Sequence, residues 1–480
     1  MTTPAGRSLR SHAVAPFALL ACALAVGMPH PSGGSRPRIV RDGIEGQPLV
    51  AQRIVSAALG SDIGAPFLQQ GELSDHPGGS GEQFGETVAV SGRTLVVGTV
   101  HHMAGSTDVE QGAAYVFTEP ASGWAHARQV AILKAPRGQS EEAFGRSVAI
   151  SGNTIVIGAP FREVGRHTDQ GAAYVFVKPP SGWRSGGPTA KLTAAGGAAS
   201  EFFGESVAIS GNTVLVGAPE RKVGKHAAQG AVDVFAIPPS PHAGNARQLA
   251  ALTAPDGQAN DALGISVAIS GRTVVAGADL HRVGENAEQG AAYVFVKSAS
   301  GWRHARDAAQ LTDKPGEARE LFGRTVAIWQ NTVIVGAPDR GGEQGGEKTE
   351  RGAVYAFVKP ASGWVGSPAQ AAELTASDAS NGDQFGDAIA ISGELIMAGA
   401  PGHATGKNTE QGAAYAFVKP DTGWKTTTET DELLATGGAA GDKLGLSAAL
   451  SEHTILLGAP DRAVDKTLAQ GVVYAFRGDS

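Results

Sequence analysis

Short apolar runs alternate with glycine-rich turns along most of this 480-residue chain, and the alternation repeats. In one stretch Ser147-Val148-Ala149-Ile150 is β-prone, Ser151-Gly152-Asn153-Thr154 is a tight turn, and Ile155-Val156-Ile157 is a second strand stopped by Gly158-Ala159-Pro160. Proline has no N–H and cannot extend a ladder. A loop of about ten residues leads to Gly171, and Ala172–Val177 forms a third strand. Pro179 to Trp183 turns the chain, and Ala190-Lys191-Leu192-Thr193 forms a fourth, shorter strand. A Phe-Gly or Leu-Gly pair then starts the next unit. These pairs begin at Phe84, Phe144, Phe203, Leu263, Phe322, Phe385 and Leu444, spaced by 60, 59, 60, 59, 63 and 59 residues.

A period this regular marks a repeat architecture, in which neighbouring units bury each other's apolar faces. Four antiparallel strands in about sixty residues make one propeller blade. The reading is an all-β, seven-bladed β-propeller over residues 65–480. Small and β-branched residues occupy the first strand (Ser206 to Ile209), where blades converge, and Tyr293 and Phe295 occupy a third strand with more room. Both faces of each strand read as apolar, as in a sheet sandwiched between neighbours. The Phe of each Phe-Gly reads as a plug between blades, and its Gly allows close backbone approach.

The fourth strand carries a Leu eleven residues before each pair: Leu133, Leu192, Leu252, Leu311, Leu374 and Leu433. Leu73 lies eleven before Phe84, ahead of the first unit, and the seventh unit lacks a fourth strand of its own. The economical inference is that the N-terminal strand completes the last blade and closes the ring.

The motifs resemble the FG-GAP repeat family, the propeller of integrin α-subunit heads and of many exported bacterial proteins. Phe-Gly is intact in five units, and Gly-Ala-Pro is intact in the five that start at Gly158, Gly217, Gly336, Gly399 and Gly458. Tyr-Val-Phe-Val-Lys-Pro and Ser-Gly-Trp runs look closer to the bacterial members. Integrin-like members carry Asp-rich calcium loops in the hairpin between the first two strands. Here those hairpins are short Ser-Gly turns without the carboxylates a hard cation needs, so no calcium site carries over. Asp378 to Asp383 holds suitable oxygens but lies in a different loop and reads as a polar turn.

Arg7 and Arg10 precede an apolar stretch from Ala13 to Val26 that is short for a spanning helix, which predicts an export signal over residues 1–27. One cut follows Ala25-Val26-Gly27. The other treats Leu19-Leu20-Ala21-Cys22 as a lipoprotein box with Cys22 lipidated. Cys22 is the only cysteine, so either cut leaves a propeller without a disulfide. Residues 28–64 read as a Pro- and Gly-rich linker with one short helix near Val50 to Ala58. Net charge is −7 with no basic cluster, which argues against a nucleic-acid partner.

Two polar rings emerge when the units are stacked. An acid lies two residues before each pair: Glu82, Glu142, Glu201, Asp261, Glu320, Asp383 and Asp442. A base lies four after each Gly of the Gly-Ala-Pro position: His102, Arg162, Arg221, His281, Arg340, His403 and Arg462. Strand order puts both on one rim. The favoured reading is a ring of partly exposed structural pairs worth about 0–1 kcal/mol each. The functional reading is a charged mouth that attracts an anionic ligand or a partner protein through those seven bases. Trp329 replaces a turn serine on the hairpin of unit five and reads as an exposed contact residue on the opposite face or as repeat drift. Other departures are His101-His102-Met103, Asp233, Pro238 to His242 and the Gly341–Gly346 loop. His101-His102 lacks a third ligand, so no metal site is expected. Arg477-Gly478-Asp479 spells an integrin-recognition tripeptide of the kind three residues produce by chance.

No nucleophile elbow, zinc-protease motif or phosphate loop is visible. The sequence reads as an exported, monomeric, non-enzymatic module without a cofactor, recognising a protein or glycan through loops on one face, with membrane contact only through a lipid on Cys22. One alternative is a cell-surface adhesive lipoprotein. Another is a polysaccharide-acting enzyme with a rim site drawn from His101, Asp233 and Asp279.

Overall fold

The computed structural model describes residues 66–478, apart from 76–77, 103–109, 238–245, 303–308, 342, 345–346 and 452–453. The export signal with Cys22, the linker and its helix, Met103, Pro238 to His242 and Asp479 lie outside the described residues. Seven antiparallel sheets succeed one another along the chain, each ordered first to fourth strand from the inside outward. Blade two is representative: Ser147–Ser151, Thr154–Ala159, Ala172–Val177 and Ala190–Leu192 pair in sequence order. First strands of neighbouring blades touch all the way round, the seventh meeting the first, which makes a closed ring.

The closure is the expected one. Strand Leu68–Leu73 pairs antiparallel with Val472–Arg477, the third strand of blade seven, with Leu73 opposite Val473. Leu73 is buried in the core shared with Phe84 of blade one. Gln470 Nε2 donates 3.0 Å to the carbonyl oxygen of Asp75, and the N–H of Phe84 donates 2.8 Å to that of Gln470.

Second and third strands are buried on both faces, but the first strands are only half-buried, as in Ser147–Ser151. These strands are flanked by the first strands of both neighbouring blades, as expected, but their inner edge has no paired strand and faces the axis, which leaves them half-buried. The second strand also runs further than expected. Gly158 pairs with Ser147 and with Ala173, and Ala159 with Ala172, so only Pro160 ends the ladder. Gly158 is required by its neighbour: a Cβ there would collide with the carbonyl oxygen of Gly204, the Phe-Gly glycine of blade three. Gly204 itself has φ 102°, which an L side chain resists, and its Cβ would lie 2.5 Å from the Ala172 oxygen.

The plugs behave as read. Phe322 is fully buried between Val294 and Leu311 of blade four and Val335 and Tyr355 of blade five. Its ring meets Tyr355 at 5.5 Å and Phe357 at 6.1 Å between centroids. Leu263 and Leu444 fill the same place in their blades. Each plug contributes roughly 1.5–3 kcal/mol by burial. The Trp of the Ser-Gly-Trp turn, read only as part of a turn, is buried as well: Trp124, Trp183, Trp302, Trp364 and Trp424 all join interblade cores. Blade five gains a fifth strand, Thr427–Thr428, parallel to Ala372–Thr375.

Candidate functional site

The second strand ends, and the next acid-bearing loop begins, at the same end of each blade. The loop between second and third strands therefore shares a rim with the residues just before Phe-Gly. All seven acid–base pairs form there, each between residues twenty apart. Glu82 meets His102 at 3.1 Å, Glu201 meets Arg221 at 3.1 Å, and Asp261 meets His281 at 2.9 Å. Glu320 meets Arg340 at 2.8 Å, Asp383 meets His403 at 3.0 Å, and Asp442 meets Arg462 at 2.9 Å. Glu142 and Arg162 form the seventh pair.

These pairs are not the partly exposed kind expected from the sequence. Every acid is buried, Glu142 completely. Burial follows because the acid tucks under its own turn: Asp383 accepts 2.8 Å from the N–H of Ser380, Asp442 accepts 2.7 Å from that of Ala439, and Asp261 accepts 2.6 Å from that of Gln258. These acids thus cap their loops, and the seven pairs tie each loop to the strand end of its blade. Burial pushes Glu142 above the usual carboxylate range despite Arg162 beside it. Burial and the neighbouring Asp313 push Glu320 up to about 9. In blade one burial and the nearby Glu82 carboxylate raise Asp75 to about 7; Glu82, held ionised by His102 and Asp75 against its own burial, falls to about 2.

Several candidates are placed singly. Trp329 is 42% exposed at the end of strand Thr325–Trp329, on the hairpin rim opposite the pairs. Asp233, where other units carry Tyr, is buried and paired to Arg221 at 2.8 Å. Asp279 pairs with Arg324 at 3.3 Å, and His101 pairs with Glu110 at 3.2 Å on the surface. His101, Asp233 and Asp279 thus have separate partners in separate blades. A shallow pocket lies on the rim of blade five, lined by Arg340, Arg351, Glu373 and Thr375 and by Ser377 of the loop that leaves the blade.

Two further rings and one inner bridge escaped the sequence reading. Gln111, Gln170, Gln229, Gln289, Gln411 and Gln470 are buried just before the third strand, and Gln111 Nε2 donates 2.9 Å to the Ala135 oxygen. Recurrence of Gln-Gly at those positions was the available signal. The Ser or Thr that opens the first strand donates across to the next blade's Phe-Gly glycine, as Ser147 Oγ does to Gly204 O at 2.8 Å. On the inner side, Arg146 bridges Glu86 at 2.9 Å and Glu205 at 3.0 Å from the blades before and after it.

The FG-GAP repeat model matches residues 67–117, 127–176, 187–235, 246–295, 306–357 and 368–417. The chain belongs to the FG-GAP repeat family. Each match runs from the neighbourhood of one fourth strand to the end of the next third strand, which is the blade boundary shifted by one strand. No curated protein matches the chain in sequence. FG-GAP propellers are interaction scaffolds in general and are not characteristically enzymes.

Proposed function

We propose that this FG-GAP propeller is an exported, non-enzymatic scaffold that binds a protein or glycan on its long-loop rim. The basic residues and apolar stretch ahead of Gly27 support export. The observation that carries the binding reading is the departure of blade five. Its loop between second and third strands has fifteen residues (338–352) against twelve in blade two (160–171). That loop folds into its own hairpin, Glu343–Gln344 with Glu347–Lys348, and borders the pocket on the rim of blade five. One divergent loop on a rigid, repeated frame is where binding residues concentrate.

The seven rim bases support a structural assignment, because each is already paired with a buried acid. Recognition then falls to groups beside them. Arg351 is exposed at the pocket edge and offers a fork for a carboxylate or a sugar hydroxyl pair. Glu373 across the pocket supplies an acceptor.

A glycan array and an immobilised-protein binding screen with the full chain test this. Saturable binding to a glycan or protein, lost in Arg351→Glu and retained in Trp329→Ala, is expected. Binding lost in Trp329→Ala but unchanged in Arg351→Glu would move the ligand to the hairpin rim. Turnover of any glycan would end the non-enzymatic reading.

A further inference from the structure

Three of the seven rim bases are histidines, and they differ in what faces the ring nitrogen away from the acid. On the Nδ1 side all three are alike, held by Glu82, Asp261 and Asp383 at 2.9–3.1 Å. In blade one Lys134 Nζ lies 2.8 Å from His102 Nε2. In blade four Gln310 Nε2 lies 3.2 Å from His281 Nε2 and donates 3.0 Å to Asp256 Oδ2. Both of these sites are closed by a nitrogen donor.

Blade six repeats blade four with one change of chemistry. Gln310 pairs across its strand with Tyr293, and the residue that pairs with the equivalent Tyr415 is Glu432. Asp378 stands where Asp256 stands, and each accepts from its tyrosine, Tyr415 at 2.9 Å and Tyr293 at 2.8 Å. The capping amide has become a carboxylate. His403, 7% exposed, makes no Nε2 hydrogen bond among the described residues. That nitrogen faces Asp378 Oδ2 at 3.8 Å and Glu432 Oε1 at 4.0 Å. The three ligand atoms lie within 4.8 Å of one another.

We propose that His403 Nε2, Asp378 and Glu432 form a divalent-metal site of the zinc class on the long-loop rim. One imidazole and two carboxylates are a ligand set that zinc accepts. At ligand distances of about 2.0–2.2 Å, such atoms stand roughly 3.4 Å apart in a tetrahedron, so the three need to draw in by roughly half an ångström to about 1.4 Å. The long Glu432 side chain can supply that movement. The outer shell is already in place. Asp383 is placed to accept a hydrogen bond from Nδ1–H, the tautomer that presents the Nε2 lone pair to a metal, and Tyr415 orients Asp378 through its other oxygen. Asp378 is 43% exposed and Glu432 15%, so the fourth position opens to solvent and to any molecule bound on that rim. The site is independent of the pocket reading above.

Titration calorimetry with zinc chloride on the full chain, stripped with a chelator, tests the assignment. Cys22→Ser removes the lone thiol as a competing ligand. Wild type should bind one zinc ion at micromolar or lower Kd. Glu432→Gln restores the residue type that blade four carries, so it should fold normally and bind at least tenfold more weakly. Gln310→Glu should recreate the ligand set in blade four and raise the count to two. Absence of zinc binding in wild type, unchanged binding in Glu432→Gln with an unchanged melting temperature, or preference for calcium over zinc would each overturn the proposal.

Discussion

Ser447 Oγ donates a 2.6 Å hydrogen bond to the carbonyl oxygen of Gly85, a residue 362 positions earlier in the chain. It is the last member of a ring. Thr87, Ser147, Ser206, Ser266 and Thr325 make the same bond to Gly145, Gly204, Gly264, Gly323 and Gly386 at 2.7–2.8 Å. Blade six breaks the ring, because Ala388 stands at that position and has no hydroxyl. Such bonds contribute about 0.5–1.5 kcal/mol each. Ser447→Ala should therefore cost about 1 kcal/mol, and Ala388→Ser should gain up to that amount by reaching the blade-seven glycine. Urea midpoints of the two variants against wild type check both signs. Destabilisation by Ala388→Ser would show that blades six and seven meet differently from the other pairs.

Arg162 and Glu142 test what the rim pairs do. Glu142 is fully buried, so removing Arg162 strands a charge in a site that cannot hydrate it. Arg162→Ala should cost about 3–5 kcal/mol at neutral pH. Burial already favours the protonated acid, so the cost should shrink as pH falls. Replacing both residues, Arg162→Met with Glu142→Leu, should recover most of the loss. Chemical denaturation of the single and double variants at two pH values measures this. A loss below about 1 kcal/mol for Arg162→Ala would return the pairs to the exposed class.

Asp75 gives a pH dependence of definite sign. Its carboxyl sits against Glu82 and keeps its proton up to about 7 in the folded state, against an ordinary value of 3.8. The unfolded chain loses that proton first. The contribution of Asp75 is therefore complete below about pH 4 and drains away as pH rises to about 7. Asp75→Asn, which does not titrate, should gain on wild type across that window by at most about 1.4 kcal/mol per pH unit. Above it the gap should be flat. Melting temperatures of both proteins from pH 4 to pH 8 decide it, and a constant gap would contradict the shared-proton arrangement.

The ring was legible because a propeller writes its period into the sequence. Phe-Gly, Gly-Ala-Pro and the outlying Leu73 sufficed for blade count, strand order and closure. The meeting of acids with bases was legible too, since register and strand direction place residues twenty apart on one rim. Depth of burial was not. Whether Glu142 is on the surface or beneath a turn depends on the backbone N–H groups the loop aims at it, and a ring of acids reads the same either way. The half-burial of the first strands was not legible for a related reason: Ser147 to Ile150 has a neighbouring blade on each face, but its inner edge lies at an axis that no local pattern announces. The contrast between Gln310 and Glu432 was invisible because it acquires meaning only once Tyr293 and Tyr415 fix which residue faces which histidine.

The closure of the ring is tested most directly by a cross-link between its ends. Leu68 lies opposite Arg477 in the strand that completes blade seven, and neighbours in such a pair are within disulfide reach. Cys22→Ser removes the native thiol, and Leu68→Cys with Arg477→Cys supplies the pair. Mild oxidation and peptide mass mapping should show a disulfide joining the two segments within one chain, with monomer mobility retained on a non-reducing gel. Free thiols at both positions, or a bridge found only between chains, would contradict a ring sealed by its own N-terminal strand.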